Sequence, residues 1–176
     1  KERSIRFGEF TLKSGKTSDF YVDCRQSTLH SRGAVLIGQV MHQLIRDTQA
    51  ELGVEPDALG GLTMGADPIS VAVAMRCDLD GDARPLHALC IRKEPKDHGM
   101  GQQIEGPFTK GESVVVIDDV ITSGISTITA IEAVEREGGT VAFVACLVDR
   151  QEGGREAIEA LGHKVVSAFT KEQVRE

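Results

Sequence analysis

The stretch from Ser113 to Thr127, SVVVIDDVITSGIST, limits what this chain can fold into more than any other part of it. Val114-Val115-Val116-Ile117 is an unbroken β-branched run. A short apolar run without alternation reads as a strand buried on both faces, as in the middle of a parallel sheet. Two adjacent carboxylates, Asp118 and Asp119, close the run, and the hydroxyl-rich turn Thr122-Ser123-Gly124 follows. Ile128, Ile131 and Val134 then recur at three-residue spacing, which predicts a helix. In an open α/β sheet, ligands collect at the carboxyl ends of the strands. Loop amides and a helix N-terminus placed there favour an anion. Thr122, Ser123 and Ser126 add hydroxyl donors, whereas Asp118 and Asp119 only accept and suit neighbouring hydroxyls, such as those of a ribose. Together these residues read as a ribose 5-phosphate site. The plainer alternative is that the acids merely end a strand and Ser126 caps a helix.

A chain of 176 residues is long enough for one domain with its own core. The net charge of −7 leaves no general basic field for nucleic acid, and any anion site has to be built locally. With no Trp, one Tyr and six Phe, the chain also lacks the aromatic surface on which single-stranded bases stack. Cys24, Cys77, Cys90 and Cys146 show neither metal nor redox spacing, and Cys90 and Cys146 sit inside apolar runs where free thiols are commonly buried. A reduced, cytoplasmic setting is expected, with no membrane span. The chain begins without Met inside charged sequence, so further N-terminal residues are expected before it.

Elsewhere the chain alternates between strand and helix patterns. Residues 9–12 and 19–23 read as a hairpin around Ser14-Gly15, either a flap over the ligand edge or an N-terminal arm. Residues 29–55 carry a core-facing helical repeat stopped by Gly53, with His30 and His42 as surface or capping groups. The strand ALGGLTMG, residues 58–65, runs into a helix opened by Asp67-Pro68. Gly65 there allows close backbone approach, so this is a second possible anion turn or an ordinary connection. The acidic residues 78–84 fit a calcium loop poorly and read as a solvated turn. The strand HALCI, residues 87–91, ends in Arg92, Lys93, Lys96 and His98, followed by the glycine-rich 99–106. Concentrated positive charge at a strand's carboxyl end of an acidic protein reads as a lid for a polyanion, the alternative being a solvated charged loop. TVAFVACLV, residues 140–148, is another buried strand and runs into Asp149-Arg150. A short helix over 155–161, a strand over 164–169 and a terminal helix complete an α/β pattern: a mostly parallel central sheet with helices on both faces.

Four motifs resemble one family. V-V-V-I-D-D-V-I-T-S-G resembles the phosphoribosyl-pyrophosphate signature of the type I phosphoribosyltransferases, and no P-loop lysine follows Gly124. F-T-L-K-S-G-K-x-S-x-F-Y, R-K-E-x-K-D-H-G with its tail to I-E-G, and D-R-x-x-G-G are similar to the orotate phosphoribosyltransferases within that family. The resemblance implies transfer of a phosphoribosyl group from phosphoribosyl pyrophosphate to orotate, giving orotidine 5′-phosphate and pyrophosphate in pyrimidine synthesis. It implies a single domain over residues 1–176, with a hood at 1–28 and a mobile catalytic loop at 92–106. It also implies Mg²⁺ held mainly by the substrate, and a homodimer with shared active sites. Lys13, Met64, Gly65, Arg92, Lys93, Lys96, His98 and residues Asp118 to Ser126, with Val120, Ile121 and Ile125 acting through backbone, would bind the pyrophosphate sugar. Arg92, Lys93, Lys96 and His98 would stabilise the leaving group; Lys13, Tyr21, Val22, Thr122 and Arg150 would meet orotate. Some members carry an aromatic and a lysine where this chain has Met64 and Gly65, and often Phe where it has Val22. A purine-specific relative and a non-catalytic sensor of the same fold are the alternatives. The intact cations at 92–98, Arg150, Lys13 and the acidic net charge argue against both.

Overall fold

The computed structural model describes residues 2–11, 17–95 and 102–175, apart from the side chains of residues 11, 17 and 18. Strands β1 (Ile5–Thr11) and β2 (Thr17–Val22) pair antiparallel as a separate two-stranded hairpin. A single turn, α1 (Arg25–Thr28), leads into the long helix α2 (Ser31–Leu52). His30 caps α2, its Nδ1 accepting from the Gly33 amide at 3.4 Å, and Gly53 ends it. Strand β3 (Ala58–Leu62), helix α3 (Asp67–Leu79), strand β4 (His87–Ile91) and the two-residue β5 (Ile104–Glu105) follow. The second half runs β6 (Ser113–Ile121), α4 (Ile125–Arg136), β7 (Thr140–Asp149), α5 (Gly154–Glu159), β8 (Val165–Thr170) and α6 (Lys171–Arg175).

The main sheet has the order β5-β4-β3-β6-β7-β8, parallel except for the β4–β5 edge. Each face covers its own core. Val115 and Ile117 of β6 pack with Met41 and Ile45 of α2 and Ile69 and Val73 of α3. Val114 and Val116 pack with Ala130, Ile131 and Val134 of α4 and Ile158 of α5. The uninterrupted apolar run of β6 therefore has partners on both sides, the condition under which such a run forms a central strand. From β3 the chain turns outward to β4, and from β6 it turns the other way to β7. The crevice between β3 and β6 is thus the topological switch point, where the loops after both strands meet.

Five sequence expectations change in detail. Asp118 and Asp119 do not end the strand, because β6 continues to Ile121 with Asp118 opposite Cys146 and Ile121 opposite Asp149 on β7. Ser126 does not cap α4; Gly124 holds that position in a left-handed conformation, φ +80°, with no side-chain cap. His42 is buried, not superficial: its Nε2 lies 2.8 Å from Asp82, and Nδ1 lies 3.5 Å from Asp80. Arg46 and Arg76 complete the neutralisation of these acids, so the 78–84 turn is an ion-paired corner between α2 and α3 instead of a freely solvated one. Cys146 is buried as expected, but Cys90 is only partly covered.

Candidate active site

The acid pair is fixed from three sides. Asp118 Oδ2 accepts a 2.7 Å hydrogen bond from Thr127 Oγ1, and its Oδ1 accepts from the Asp119 amide at 2.9 Å. Asp119 Oδ1 accepts from the Val120 amide at 2.9 Å. Burial pushes the Asp118 carboxyl up to about 7, with the Asp119 charge adding to the shift, and burial also raises Asp119. Cys24 Sγ reaches the Asp119 carbonyl at 3.8 Å, which sets Arg25, the next residue, at this edge of the sheet. Burial pushes the Cys24 thiol up, so it stays protonated beside the carboxylates.

The turn after β6 leads directly into α4. A Cβ on Gly124 would lie 2.9 Å from the Gly154 carbonyl, so both the left-handed φ and the contact require glycine. With no side-chain cap, the first amides of α4 are available to an anion, and the exposed Ser123 and Ser126 flank them. Thr127 is buried and spends its hydroxyl on Asp118.

The turn after β3 meets the same acids. Thr63 Oγ1 donates to Asp67 Oδ2 at 2.6 Å, and the Thr63 amide donates to the Ile91 carbonyl at 2.9 Å. The Thr63–Met64 peptide bond is cis, and the Met64 side chain is exposed. A Cβ on Gly65 would stand 2.6 Å from Asp119 Oδ1. Glycine at this position therefore lets the turn press against the acid pair.

Arg92 and Lys93 border an open cavity of about 540 Å³ together with Thr63, Cys90 and Glu105. This cavity brings the two cations to Thr63 at the start of the β3 turn. Their backbone is held by Gln103, which is 2% exposed. Gln103 Nε2 donates to the carbonyls of Arg92 (2.7 Å) and Lys93 (3.3 Å), and its Oε1 accepts from Arg136. Glu137 accepts from the amides of Gln103 and Ile104. Lys13, Lys96 and His98 lie outside the described residues.

Arg150 follows β7, and its amide donates to the Ile121 carbonyl at 2.9 Å, so it stands beside the turn after β6. Its guanidinium lies 5.0 Å from the Phe20 ring and pairs with Glu152 at 3.0 Å. It is therefore a buried group. The hairpin brings Phe20 to Arg150, while the Tyr21 ring packs on Phe10 with centroids 5.7 Å apart. Val22 rests against the core beside the same hairpin.

Sequence reasoning missed Thr127, Gln103 and Phe20. Period-two alternation in Asp19-Phe20-Tyr21-Val22 carried the signal for Phe20, since neighbours on a strand face opposite ways. Nothing local marked Gln103, whose partners come from residues 92, 93 and 136.

Among the described residues, His42, Cys77 and Asp82 form one cluster with metal-ligand chemistry, but the Arg46 guanidinium already fills it, bonded to Asp82 and to Cys77 Sγ. At the acid pair the protein offers hard carboxylate oxygens and protonated thiols, a donor set that suits Mg²⁺ over softer metals.

Residues 27–160 match the model of the phosphoribosyl transferase domain family. An orotate phosphoribosyltransferase of Rhodopirellula baltica is 47% identical over 167 residues, which cover 95% of this chain and 86% of that protein. One of Aquifex aeolicus is 44% identical over 172 residues, covering 96% and 90% respectively. A solved structure of the Mycobacterium tuberculosis orotate phosphoribosyltransferase, in complex with 5-phospho-α-D-ribosyl 1-diphosphate, superposes with a TM-score of 0.76 at 37% identity, covering 95% of this chain and 90% of that one.

Proposed function

The chain belongs to the phosphoribosyltransferase family as an orotate phosphoribosyltransferase, and on that footing we propose which of its residues carry the transfer from phosphoribosyl pyrophosphate to orotate. Asp118 and Asp119 accept the ribose hydroxyls. The turn from Val120 to Ser126 and the uncapped start of α4 hold the 5′-phosphate. Thr122 borders the base. The Met64-Gly65 turn meets the pyrophosphate through backbone amides, and Arg92 and Lys93, with Lys96, His98 and Lys13, meet its charge. Arg150 takes the orotate carboxylate, for which a planar guanidinium is the matched partner, with Tyr21 and Val22 on the hood side. The observation that carries this reading is the Arg150–Ile121 hydrogen bond. It sets the cation for the base beside the turn for the sugar, on neighbouring strands of one sheet edge.

The chemistry then follows from charge. Breaking the bond between C1 and pyrophosphate leaves an oxocarbenium-like ribose and a highly charged leaving group. The lid cations oppose the charge that develops on the departing oxygens, and this electrostatic term needs no protein nucleophile. Ionised Asp118 and Asp119 hold the ribose so that the orotate nitrogen and C1 stay aligned. Closure of the 92–106 loop excludes water and limits hydrolysis. Mg²⁺, carried mainly by the substrate's pyrophosphate and ribose oxygens beside the acid pair, would supply further charge neutralisation.

A homodimer with shared active sites completes the reading. It is supported by an exposed apolar row on α3, Val71, Met75 and Leu79, spaced four residues apart next to the Met64 turn. Four free cysteines support a cytoplasmic setting, and no helix among the described residues is long and apolar enough to cross a membrane. The test is orotate consumption followed by absorbance, with phosphoribosyl pyrophosphate and Mg²⁺. Wild type should consume orotate and Arg150→Ala should not, while an Arg150→Ala variant as active as wild type would remove Arg150 from the base site.

A further inference from the structure

Arg150 is 5% exposed, which is too covered for a substrate carboxylate to reach without displacing something. Among the described residues, Phe20 and Glu152 cover its charged end. The Phe20 ring lies against one face at 5.0 Å and is itself fully buried. Glu152 Oε1 takes the Nη2 edge at 3.0 Å, with its side chain 28% exposed. The same Oε1 also accepts from Lys171 Nζ at 3.3 Å, and Lys171 lies 5.5 Å from the same Phe20 ring. Two cations from different elements, one after β7 and one opening α6, thus converge on a single carboxylate oxygen over one aromatic ring. Like charges this close oppose each other unless an anion lies between them.

We propose that Glu152 is an internal stand-in for the carboxylate of orotate, and that Lys171 joins Arg150 as a second cation recognising that carboxylate. This rests on the assignment of Arg150 to the base site. In the empty enzyme Glu152 keeps the two cations together. When orotate arrives, its planar carboxylate takes the place of Glu152, which swings toward the solvent it already partly faces. Phe20 cannot yield in the same way. It is also covered by Arg175, 5.4 Å from the ring, which pairs with Asp19 on the hairpin. Glu152 is consequently a specificity-determining residue. A pyrimidine without a carboxylate would leave Glu152 in place and gain nothing from either cation, whereas orotate exchanges one carboxylate for another.

The test compares orotidine 5′-monophosphate, which bears the base carboxylate, with uridine 5′-monophosphate, which does not, by calorimetric titration of the intact enzyme. Glu152→Gln keeps the shape and removes the competing charge. It should tighten orotidine 5′-monophosphate by about fivefold, the scale of one partly exposed ion pair, and leave uridine 5′-monophosphate unchanged. Lys171→Met should weaken the first nucleotide by a similar factor and not the second. Arg150→Met should weaken the first by more than either. If Glu152→Gln weakens both nucleotides alike, or Lys171→Met changes neither while Arg150→Met does its damage, Glu152 and Lys171 are scaffolding and the inference is overturned. If Arg150→Met binds both nucleotides as wild type does, the base-site assignment falls and takes the inference with it.

Discussion

Gly65 and Asp119 approach so closely that the smallest side chain would put a carbon 2.6 Å from the carboxylate oxygen. The turn after β3 and the acid pair of β6 are therefore one packed unit, and the part of the site assigned to pyrophosphate cannot move without the part assigned to ribose.

Gly65→Ala should accordingly act on sugar binding although it removes no functional group. Overpacking of this kind costs roughly 1–3 kcal/mol, so KM for phosphoribosyl pyrophosphate should rise about five- to 150-fold. KM for orotate should change much less. Steady-state kinetics decide it, and an unaltered KM for the sugar would mean that the acid pair tolerates displacement.

Asp118 gives a pH dependence of defined sign. Its carboxyl is raised by burial to about 7, above the ordinary range near 3.8. Between those values the folded state holds a proton that the unfolded chain has released, so this group's contribution to stability falls as pH rises from about 4 to about 7. Asp118→Asn should raise the melting temperature of the ligand-free protein at pH 8, by the equivalent of about 1–3 kcal/mol, and have no such effect at pH 3.5. The same variant should lose affinity for phosphoribosyl pyrophosphate, since an amide is a poorer acceptor for ribose hydroxyls. Equal thermal shifts at both pH values would show that burial of the charge is not the cause.

Thr127 acts through Asp118. Thr127→Val removes the 2.7 Å donor from a buried carboxylate, while Thr127→Ser keeps it. The valine variant should bind phosphoribosyl pyrophosphate more weakly below about pH 8 and recover as pH rises, because loss of the donor raises the carboxyl further. The groups facing Asp118 are Asp119, Cys24 and Cys146, and both thiols stay protonated across this range. Serine should restore the wild-type profile. A pH-independent loss shared by both variants would assign Thr127 to packing alone.

Gln103 ties the backbone of Arg92 and Lys93 to Arg136. Gln103→Leu leaves the carbonyls of Arg92 and Lys93 and the Arg136 guanidinium without this partner, at a cost of about 1–2 kcal/mol. At a temperature where the variant remains folded, kcat should drop by more than KM for orotate changes, because the displaced cations serve the departing pyrophosphate. Pre-steady-state kinetics showing a normal chemical step would detach Gln103 from the reaction.

Sharing of active sites is tested by mixing subunits. Arg150→Ala and Lys96→Ala proteins, each inactive alone, should regain about a quarter of wild-type activity when combined, if the loop from one subunit serves the base site of the other. Activity no higher than that of either parent would place the loop in its own subunit's site.

Much of this was legible before the fold. The β-branched run of β6, the glycine turns after β3 and β6 and the strand-helix alternation are local signals, and each became the expected element. The four motifs pointed to the family, and Arg150 stands beside the end of the strand that carries the acids. The exceptions share a cause. His42 looked superficial because its partners, Asp80 and Asp82, arrive from the next helix. Ser126 looked like a cap because a hydroxyl at a helix start usually is one, but the close approach of Gly154 demands glycine at the capping position instead. Gln103 looked like polar loop until α4 was folded over it. Contacts between segments far apart in the chain leave no periodicity to read.

The two ligand turns leave adjacent, hydrogen-bonded strands, β3 and β6. The spacing between them is therefore the spacing of a sheet ladder, a little under 5 Å, a length that side-chain substitution hardly alters. The sheet works as a ruler: it sets the span over which one small sugar diphosphate is gripped, and sequence drift in the outer helices and hairpin can change which base is received without recalibrating that span.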